Sequence, residues 1–208
     1  MRTLLLLRHA KSRWDREGVP DHDRPLKKRG KRDASRVGWF LLSRNLVPQL
    51  VISSTAKRAR ATATRVARAS SYTDDIVFDD TLYAAGPMGY IQLLQDIDDR
   101  YHRVLIVGHN PEVELLLEVL TGVSETMRPS TLAQIELPVT KWAAVRDYVG
   151  GELVNLWHRK ELKVMAKLEG VDVTAMANPP ALTEVAAGDR ASPTPGTKEE
   201  LQVSDTDL

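Results

Sequence analysis

The chain has 208 residues, of which 42% are hydrophobic and 27% are charged, with 29 lysines and arginines against 28 aspartates and glutamates. This near balance excludes both an acidic disordered chain and a uniformly basic one, and the length suits one domain with an extension. The sequence has no cysteine, which excludes disulfides, thiolate metal sites and cysteine nucleophiles. The apolar run at residues 4–7 is too short for a signal sequence or a membrane span, so we expect a cytoplasmic protein without a membrane partner.

The charge is unevenly distributed along the chain. Residues 1–68 contain 18 basic and five acidic side chains, whereas residues 169–208 contain two basic and eight acidic ones. The basic excess in the first third favours an anionic substrate or partner, and both phosphate groups and nucleic acids have that character. The basic run at residues 27–32 has no interleaved aromatic residues, so we interpret it as a solvated helix start and consider nucleic acid an unlikely partner.

Short apolar runs that alternate with helical patterns predict the fold. We expect buried strands at residues 3–7, 50–52 and 104–107, helices at residues 31–45, 56–69 and 111–121, and further strands at residues 131–137 and 153–157. This order predicts a three-layer α/β/α domain with a mostly parallel central sheet over residues 1–168. Residues 169–208 hold four of the 11 prolines and no aromatic residue, which predicts a disordered acidic tail.

Basic residues stand just after the predicted strands. Arg8 and His9 follow the first run, Arg58 lies at the start of the helix that follows the second, and His109 follows the third. Ligands of open α/β sheets bind beyond the carboxyl ends of the strands, and arginines and helix N-termini suit phosphate oxygens there. Nearby positive charge lowers the pKa of an imidazole and keeps its lone pair available. The pattern therefore predicts a phosphate site with His9 as the candidate nucleophile.

The motifs around these residues resemble the histidine phosphatase superfamily, whose fold is phosphoglycerate mutase-like, and within it the SixA-like phosphohistidine phosphatases. The resemblance runs from about residue 2 to residue 165, outside the tail. Four blocks occur in the order of the family: LLLLRHAKS at residues 4–12, DHDRPL with Arg-Gly at residues 21–30, SS with RA and TA at residues 53–63, and GHNP at residues 108–111.

The resemblance implies catalytic roles for Arg8, His9, Arg58 and His109, and substrate-binding roles for Arg24 and Asp21. His9 would form a phosphohistidine intermediate that water then hydrolyses, with the other catalytic residues holding the phosphoryl oxygens and with no metal or cofactor. The implied activity is that of a phosphatase, and the branch implies phosphohistidine on a protein as the substrate.

The sequence departs from the family pattern at two places. Ala10 replaces the usual glycine after the histidine, as it does in the SixA branch. Many members carry a glutamate general acid after the strand near residue 80, whereas the matching stretch here is Asp80-Thr81-Leu82-Tyr83. A phosphoester with a poor leaving group needs such an acid, while an imidazole can leave already protonated. The gap favours phosphohistidine or another labile phosphoryl donor, with Asp21 or Glu112 as remaining candidate acids.

Two other functions stay open from the sequence alone. The chain could be a phosphatase for small phosphoesters or nucleotides, or a noncatalytic protein that binds phosphate groups or nucleic acid through its basic first third. A metal site is not expected, because His22 between Asp21 and Asp23 has no second ligand pair at a diagnostic spacing. The expected partner is a phosphorylated protein or a small phosphorylated substrate.

Overall fold

The computed structural model describes residues 1–13, 18–173 and 184–186, which form seven strands and six helices. The strands are β1 (Arg2–Arg8), β2 (Leu50–Ser54), β3 (Ile76–Asp79), β4 (Arg103–Gly108), β5 (Leu132–Leu137), β6 (Glu152–Trp157) and β7 (Glu184–Ala186). The helices are α1 (Lys28–Ser43), α2 (Lys57–Ala69), α3 (Thr81–Ala84), α4 (Gly86–Gln95), α5 (Glu112–Thr121) and α6 (Arg159–Leu168).

The strands join one sheet in the order β6-β5-β1-β4-β2-β3-β7. Neighbours from β1 to β7 in this order are parallel, whereas β5 runs antiparallel to both β1 and β6. The prediction of a mostly parallel sheet is therefore confirmed. The register pairs Arg8 with Gly108 and Ser53 with Val107, so the carboxyl ends of β1, β2 and β4 meet at the same edge.

Helices cover the sheet on both faces, which explains why its central strands are continuous apolar runs. Leu4 and Leu6 of β1 pack on one face with α4 and α5, and Leu5 and Leu7 pack on the other face with α1, α2 and α6. All four side chains are fully buried. The predicted three-layer α/β/α arrangement is confirmed.

Several elements differ from the sequence-based expectation. The patterns predicted neither strands β3 and β7 nor helices α3, α4 and α6, and β7 lies within the segment predicted to be disordered. Strand β3 and helix α3 have only four residues each, too few for a periodic pattern. Helix α1 begins three residues earlier than expected, so Gly30 falls in its first turn. A Cβ at Gly30 would lie 2.3 Å from the carbonyl oxygen of Lys11, so the glycine lets α1 approach the loop that follows β1.

The predicted tail, residues 169–208, is described only in part. Glu169 forms an ion pair with Arg44 at 3.0 Å, and Val173 is buried. Residues 184–186 form β7 beside β3, while residues 174–183 and 187–208 lie outside the described residues, where disorder stays a prediction. None of the helices in the described part of the chain is long and apolar enough to cross a membrane.

Candidate active site

The carboxyl ends of β1 and β4 bring two imidazoles together. His9 directly follows β1, and His109 directly follows β4. Their ring centroids are 4.9 Å apart, and the rings are tilted by 54°. The backbone N–H of His9 donates to the carbonyl of Gly108 at 3.0 Å, which ties the two loops to each other. Only 9% of His9 and 4% of His109 is exposed, so both rings lie in one buried site.

The hydrogen bonds of His9 define which of its nitrogens carries the lone pair. Nδ1 lies 2.8 Å from the carbonyl oxygen of Ala10, and because a carbonyl only accepts, Nδ1 carries the proton. Nε2 is then the unprotonated nitrogen, and it accepts from Nε–H of Arg58 at 3.2 Å. Burial, with the neighbouring His109, lowers the pKa of His9 to about 3. The ring is therefore neutral at physiological pH, with a nucleophilic Nε2.

Arg58 and Arg24 are joined through the carboxylate of Asp21. Nη2 of Arg58 donates to Oδ2 of Asp21 at 2.9 Å, and Nη1 of Arg24 donates to Oδ1 at 2.6 Å. Both arginines are buried, whereas Asp21 is exposed at the edge of the site. Burial raises the pKa of Asp21, but the Arg58 charge and the hydrogen bonds from Tyr83, Arg58 and Arg24 outweigh it and lower the pKa below its usual range. The carboxyl is therefore ionised and acts as an acceptor.

Arg8 ends β1 on the side of the site where the backbone of residues 127–131 passes. Its Nη1 donates to the carbonyl of Met127 at 2.8 Å, and the backbone N–H of Met127 donates to Glu114 at 2.8 Å. Nε of Arg8 is buried and has no hydrogen-bond partner in the described part of the chain. Buried donors of this kind are normally satisfied, so Nε–H of Arg8 is a donor that a bound anion could use.

His109 is held by Ser54 at the end of β2. Its Nε2 lies 2.9 Å from Oγ of Ser54, and that oxygen accepts from the backbone N–H of Ala56 at 3.3 Å. When the hydroxyl of Ser54 donates to Nε2, the ring proton of His109 lies on Nδ1. Burial, followed by the Arg58 charge, lowers the pKa of His109 to about 3. Nδ1 is buried without a partner among the described residues, so its N–H can bind a phosphoryl oxygen.

Two residues complete the site that were not predicted as site residues. Oγ1 of Thr62 accepts from the backbone N–H of Ala10 at 3.0 Å and donates to the carbonyl of Arg58 at 2.7 Å, which joins α2 to the loop of the nucleophile. The hydroxyl of Tyr83 donates to Oδ2 of Asp21 at 3.1 Å, and its ring lies edge-on to His109 at 5.6 Å. Thr62 belongs to the motif at residues 53–63. Tyr83 belongs to the stretch at residues 80–83, where the sequence indicated only that the glutamate of the family is missing.

The other candidate residues lie outside the cluster of imidazoles. Glu112 is the first residue of α5 and is half-buried, and in the described part of the chain it makes no hydrogen bond to His9 or His109. His22 lies beside Tyr83, with its Nε2 3.0 Å from the hydroxyl of Thr55. Among the described residues, no three histidine or acidic side chains are grouped so that they could hold a metal ion.

Comparisons with known proteins identify the family of the chain. Residues 4–83 match the family model of the histidine phosphatase superfamily, branch 1. An uncharacterised chloroplast protein of Arabidopsis thaliana is 33% identical over 150 residues, which cover 68% of this chain and 69% of that protein. The chain belongs to the histidine phosphatase superfamily. This membership supports a phosphatase with a histidine nucleophile over a noncatalytic binder.

Solved structures of phosphatases share the fold of this family member. A structure assigned to the phosphohistidine phosphatase SixA of Agrobacterium tumefaciens has a TM-score of 0.65 and 29% identity, and the match covers 76% of this chain and 97% of that one. A structure assigned to an alpha-ribazole-5'-P phosphatase of Escherichia coli has a TM-score of 0.58 and 19% identity, with 76% and 98% covered. The first match makes the chain SixA-like, and the second shows the shared fold alone.

Proposed function

We propose that this chain is a metal-independent phosphatase that acts on phosphohistidine in proteins. The observation that supports this substrate is the ionised state of Asp21, whose carboxylate is bonded to the arginine that contacts the nucleophile. Asp21 is bonded to two arginines, which lower its pKa and keep it ionised. An ionised carboxylate cannot donate a proton to a leaving oxygen, so the site is suited to a leaving group that needs no acid.

Transfer from phosphohistidine to His9 needs no proton from the protein. Nε2 of His9 attacks phosphorus, the bond between phosphorus and the substrate nitrogen breaks, and its electron pair stays on that nitrogen. When the other nitrogen of the substrate ring is protonated, the ring leaves as a neutral imidazole. His9 has the same form before the reaction, with a proton on Nδ1 and a lone pair on Nε2, so the exchange is symmetrical.

The positive groups around His9 would hold the phosphoryl oxygens during this exchange. Arg8 and Arg58 supply guanidinium donors, and His109 supplies Nδ1–H. Their positions are fixed by protein hydrogen bonds before the substrate binds, which is the condition for strong electrostatic stabilisation of a transition state. Water then attacks the phosphorylated Nε2, the phosphorus–nitrogen bond breaks, His9 leaves as the neutral ring, and both water protons stay on the released phosphate.

Two measurements test this proposal. The first compares kcat/KM for a phosphohistidine protein with kcat/KM for a stable ester such as a sugar phosphate, and the phosphohistidine protein should be the better substrate. The second traps phosphate on the enzyme after rapid acid-free quenching, and His9→Ala should abolish both trapping and turnover. His102→Ala is the matched control, because His102 is exposed before β4 begins, at the opposite end of the sheet.

The outcome separates the proposal from its alternatives. Faster turnover of the sugar phosphate or of a nucleotide would indicate a phosphatase for small phosphoesters. Unchanged hydrolysis in His9→Ala would falsify the assignment of the nucleophile.

A further inference from the structure

One face of α2 outside the catalytic site forms an open basic groove of about 590 Å³, called here the α2 groove. Its described lining has four cations of α2, which are Lys57, Arg60, Arg65 and Arg68, against one carboxylate, Asp23, and His22 and Thr55 lie at one end. The positions 57, 60, 61, 64, 65 and 68 recur at the spacing of one helix face. The positive stripe therefore extends over about 16 Å of the helix axis.

The positive charges of the α2 groove act on the helix in opposite directions, since Arg68, in the last turn, complements the helix dipole. Lys57 lies in the first turn, where a cation opposes the helix dipole, and Arg65 and Arg68 are like charges three residues apart. Helix α2 contains no acidic residue, and no ion pair is formed by Lys57, Arg65 or Arg68 within the described part of the chain. A cation in the first turn and a pair of like charges both disfavour the helix, and such unfavourable placements are expected at functional sites.

One arginine of the groove is held by an aromatic ring, and two others are half-buried. The guanidinium of Arg60 lies over the ring of Phe78, 3.9 Å from its centroid. Nε of Arg68 is buried and has no hydrogen-bond partner among the residues that the structure describes. Burial, together with the charge of Arg68, lowers the pKa of Arg65. These three arginines are thus partly desolvated, which strengthens their attraction for an anion.

The α2 groove begins beside the catalytic site. His22, at the end of the groove, contacts the ring of Tyr83 at a centroid distance of 5.0 Å, and Tyr83 in turn contacts His109 at 5.6 Å. Arg58 stands between Lys57 and Arg60 in the sequence and turns to His9 instead of the groove. A chain bound at His9 can therefore continue into the groove past His22.

We propose that the α2 groove binds an acidic segment of the phosphorylated protein, next to the phosphohistidine that reacts with His9. This inference rests on the proposed function and adds the kind of protein that the enzyme selects. The described lining contains no tyrosine, tryptophan or phenylalanine on which bases could stack, so carboxylates suit it better than a nucleic acid. Aspartates or glutamates beside the modified histidine would complement Lys57, Arg65 and Arg68.

A binding experiment tests the α2 groove independently of catalysis. The probe is a fluorescent 12-residue peptide of glutamate and serine, compared with a glutamine and serine peptide, and its anisotropy is followed with the full chain. Arg65→Gln/Arg68→Gln should weaken binding of the acidic peptide about fivefold at low salt, as expected for the loss of two ion pairs in an open groove. The loss should shrink in about 0.5 M salt. Equal affinity in the variant and the wild type would overturn the proposal.

The control variant is Arg32→Gln/Arg146→Gln, which removes the same charge from two exposed arginines outside the groove. It should bind the acidic peptide within about twofold of the wild type. A loss equal to that of the groove variant would show a general charge effect and would reject the site. Tighter binding of a 12-nucleotide single strand than of the acidic peptide, with the same dependence on Arg65 and Arg68, would reject the protein segment as the ligand.

Kinetics then separate this inference from the proposed function. With an acidic phosphohistidine peptide, Arg65→Gln/Arg68→Gln should raise KM about fivefold and leave kcat unchanged. With a neutral phosphohistidine peptide or an aryl phosphate, both constants should stay the same, which also shows that the variant is folded. If the wild type hydrolyses the aryl phosphate but neither peptide, the proposed substrate fails, while the binding experiment still decides the groove. An equal rise in KM for the neutral peptide would overturn selection of acidic segments.

Discussion

Asp21→Asn distinguishes a carboxylate that positions two arginines from one that acts as a general acid. Oδ1 of Asp21 accepts from Arg24 at 2.6 Å, and Oδ2 accepts from Arg58 at 2.9 Å and from the hydroxyl of Tyr83 at 3.1 Å. The asparagine keeps one acceptor oxygen, but its amide group would face an arginine donor. Arg58 then loses one of the contacts that fix its position against Nε2 of His9.

The geometry sets the size of the expected loss. Half of the Asp21 side chain is exposed, so each of its two ion pairs is discounted for solvent screening to about 0.5–1 kcal/mol. Together they amount to about 1–2 kcal/mol, or roughly 5- to 30-fold in kcat/KM. Arg58 would hold the phosphoryl group that all substrates share, so the loss should be the same for every leaving group. A general acid contributes about 10²- to 10⁴-fold, and mainly where the leaving group is poor.

The assay compares kcat/KM of Asp21→Asn and of the wild type for free phosphohistidine, an aryl phosphate and an alkyl phosphate. A uniform loss would support the positioning role. A loss above about 100-fold for the alkyl phosphate, together with a small loss for the aryl phosphate, would refute it and make Asp21 the acid. Asp23→Asn is the matched control, because its carboxylate lies two residues away and contacts His22 instead of the arginines.

Three further predictions test the nucleophile and its support. The pKa of His9 is lowered to about 3, so its active neutral form persists as the pH falls. The value of kcat/KM, corrected for substrate ionisation, should therefore show no decrease centred near pH 6.5, and a decrease there would contradict the assigned state. Thr62→Val leaves the buried N–H of Ala10 without its acceptor. This variant should lower the free energy of unfolding in urea by about 1–3 kcal/mol and reduce kcat, whereas Thr62→Ser should keep both near the wild-type values. Gly108→Ala places a Cβ 2.2 Å from the hydroxyl oxygen of buried Tyr90 and should lower thermal stability by about 1–3 kcal/mol. Adding Tyr90→Phe should restore part of this stability, and an unchanged melting temperature in Gly108→Ala would contradict the close approach.

The central part of the site could be predicted because it depends on strand order more than on side-chain packing. Arg8, His9 and His109 follow apolar runs that are parallel neighbours in the sheet, so their meeting at one edge requires only that the runs be strands of this type. Arg58 could be found by the same reasoning, since the helix that carries it starts just after β2.

The contacts that hold the catalytic residues in position could not be predicted in the same way. Tyr83 lies in α3, a four-residue helix after the four-residue β3, and neither element has a periodic pattern. Its contacts with Asp21, His22 and His109 join segments far apart in the sequence. The role of Asp21 was similarly hidden, because a sequence shows a carboxylate but not the two guanidiniums that keep it ionised.

The charges that bind phosphate also keep the nucleophile ready to react. Burial contributes most to the low pKa of His9, and the charges of its neighbours His109, Arg58 and Arg8 lower it further. Burial alone would keep a histidine neutral, but a buried histidine without these neighbours would lack hydrogen-bond donors for the phosphoryl oxygens. A bound phosphoryl dianion offsets part of the positive charge around His9. The positive charge that the His9 ring acquires on phosphorylation is therefore formed next to an anion. Removal of either arginine should therefore weaken substrate binding and phosphoenzyme formation together, instead of affecting one step alone.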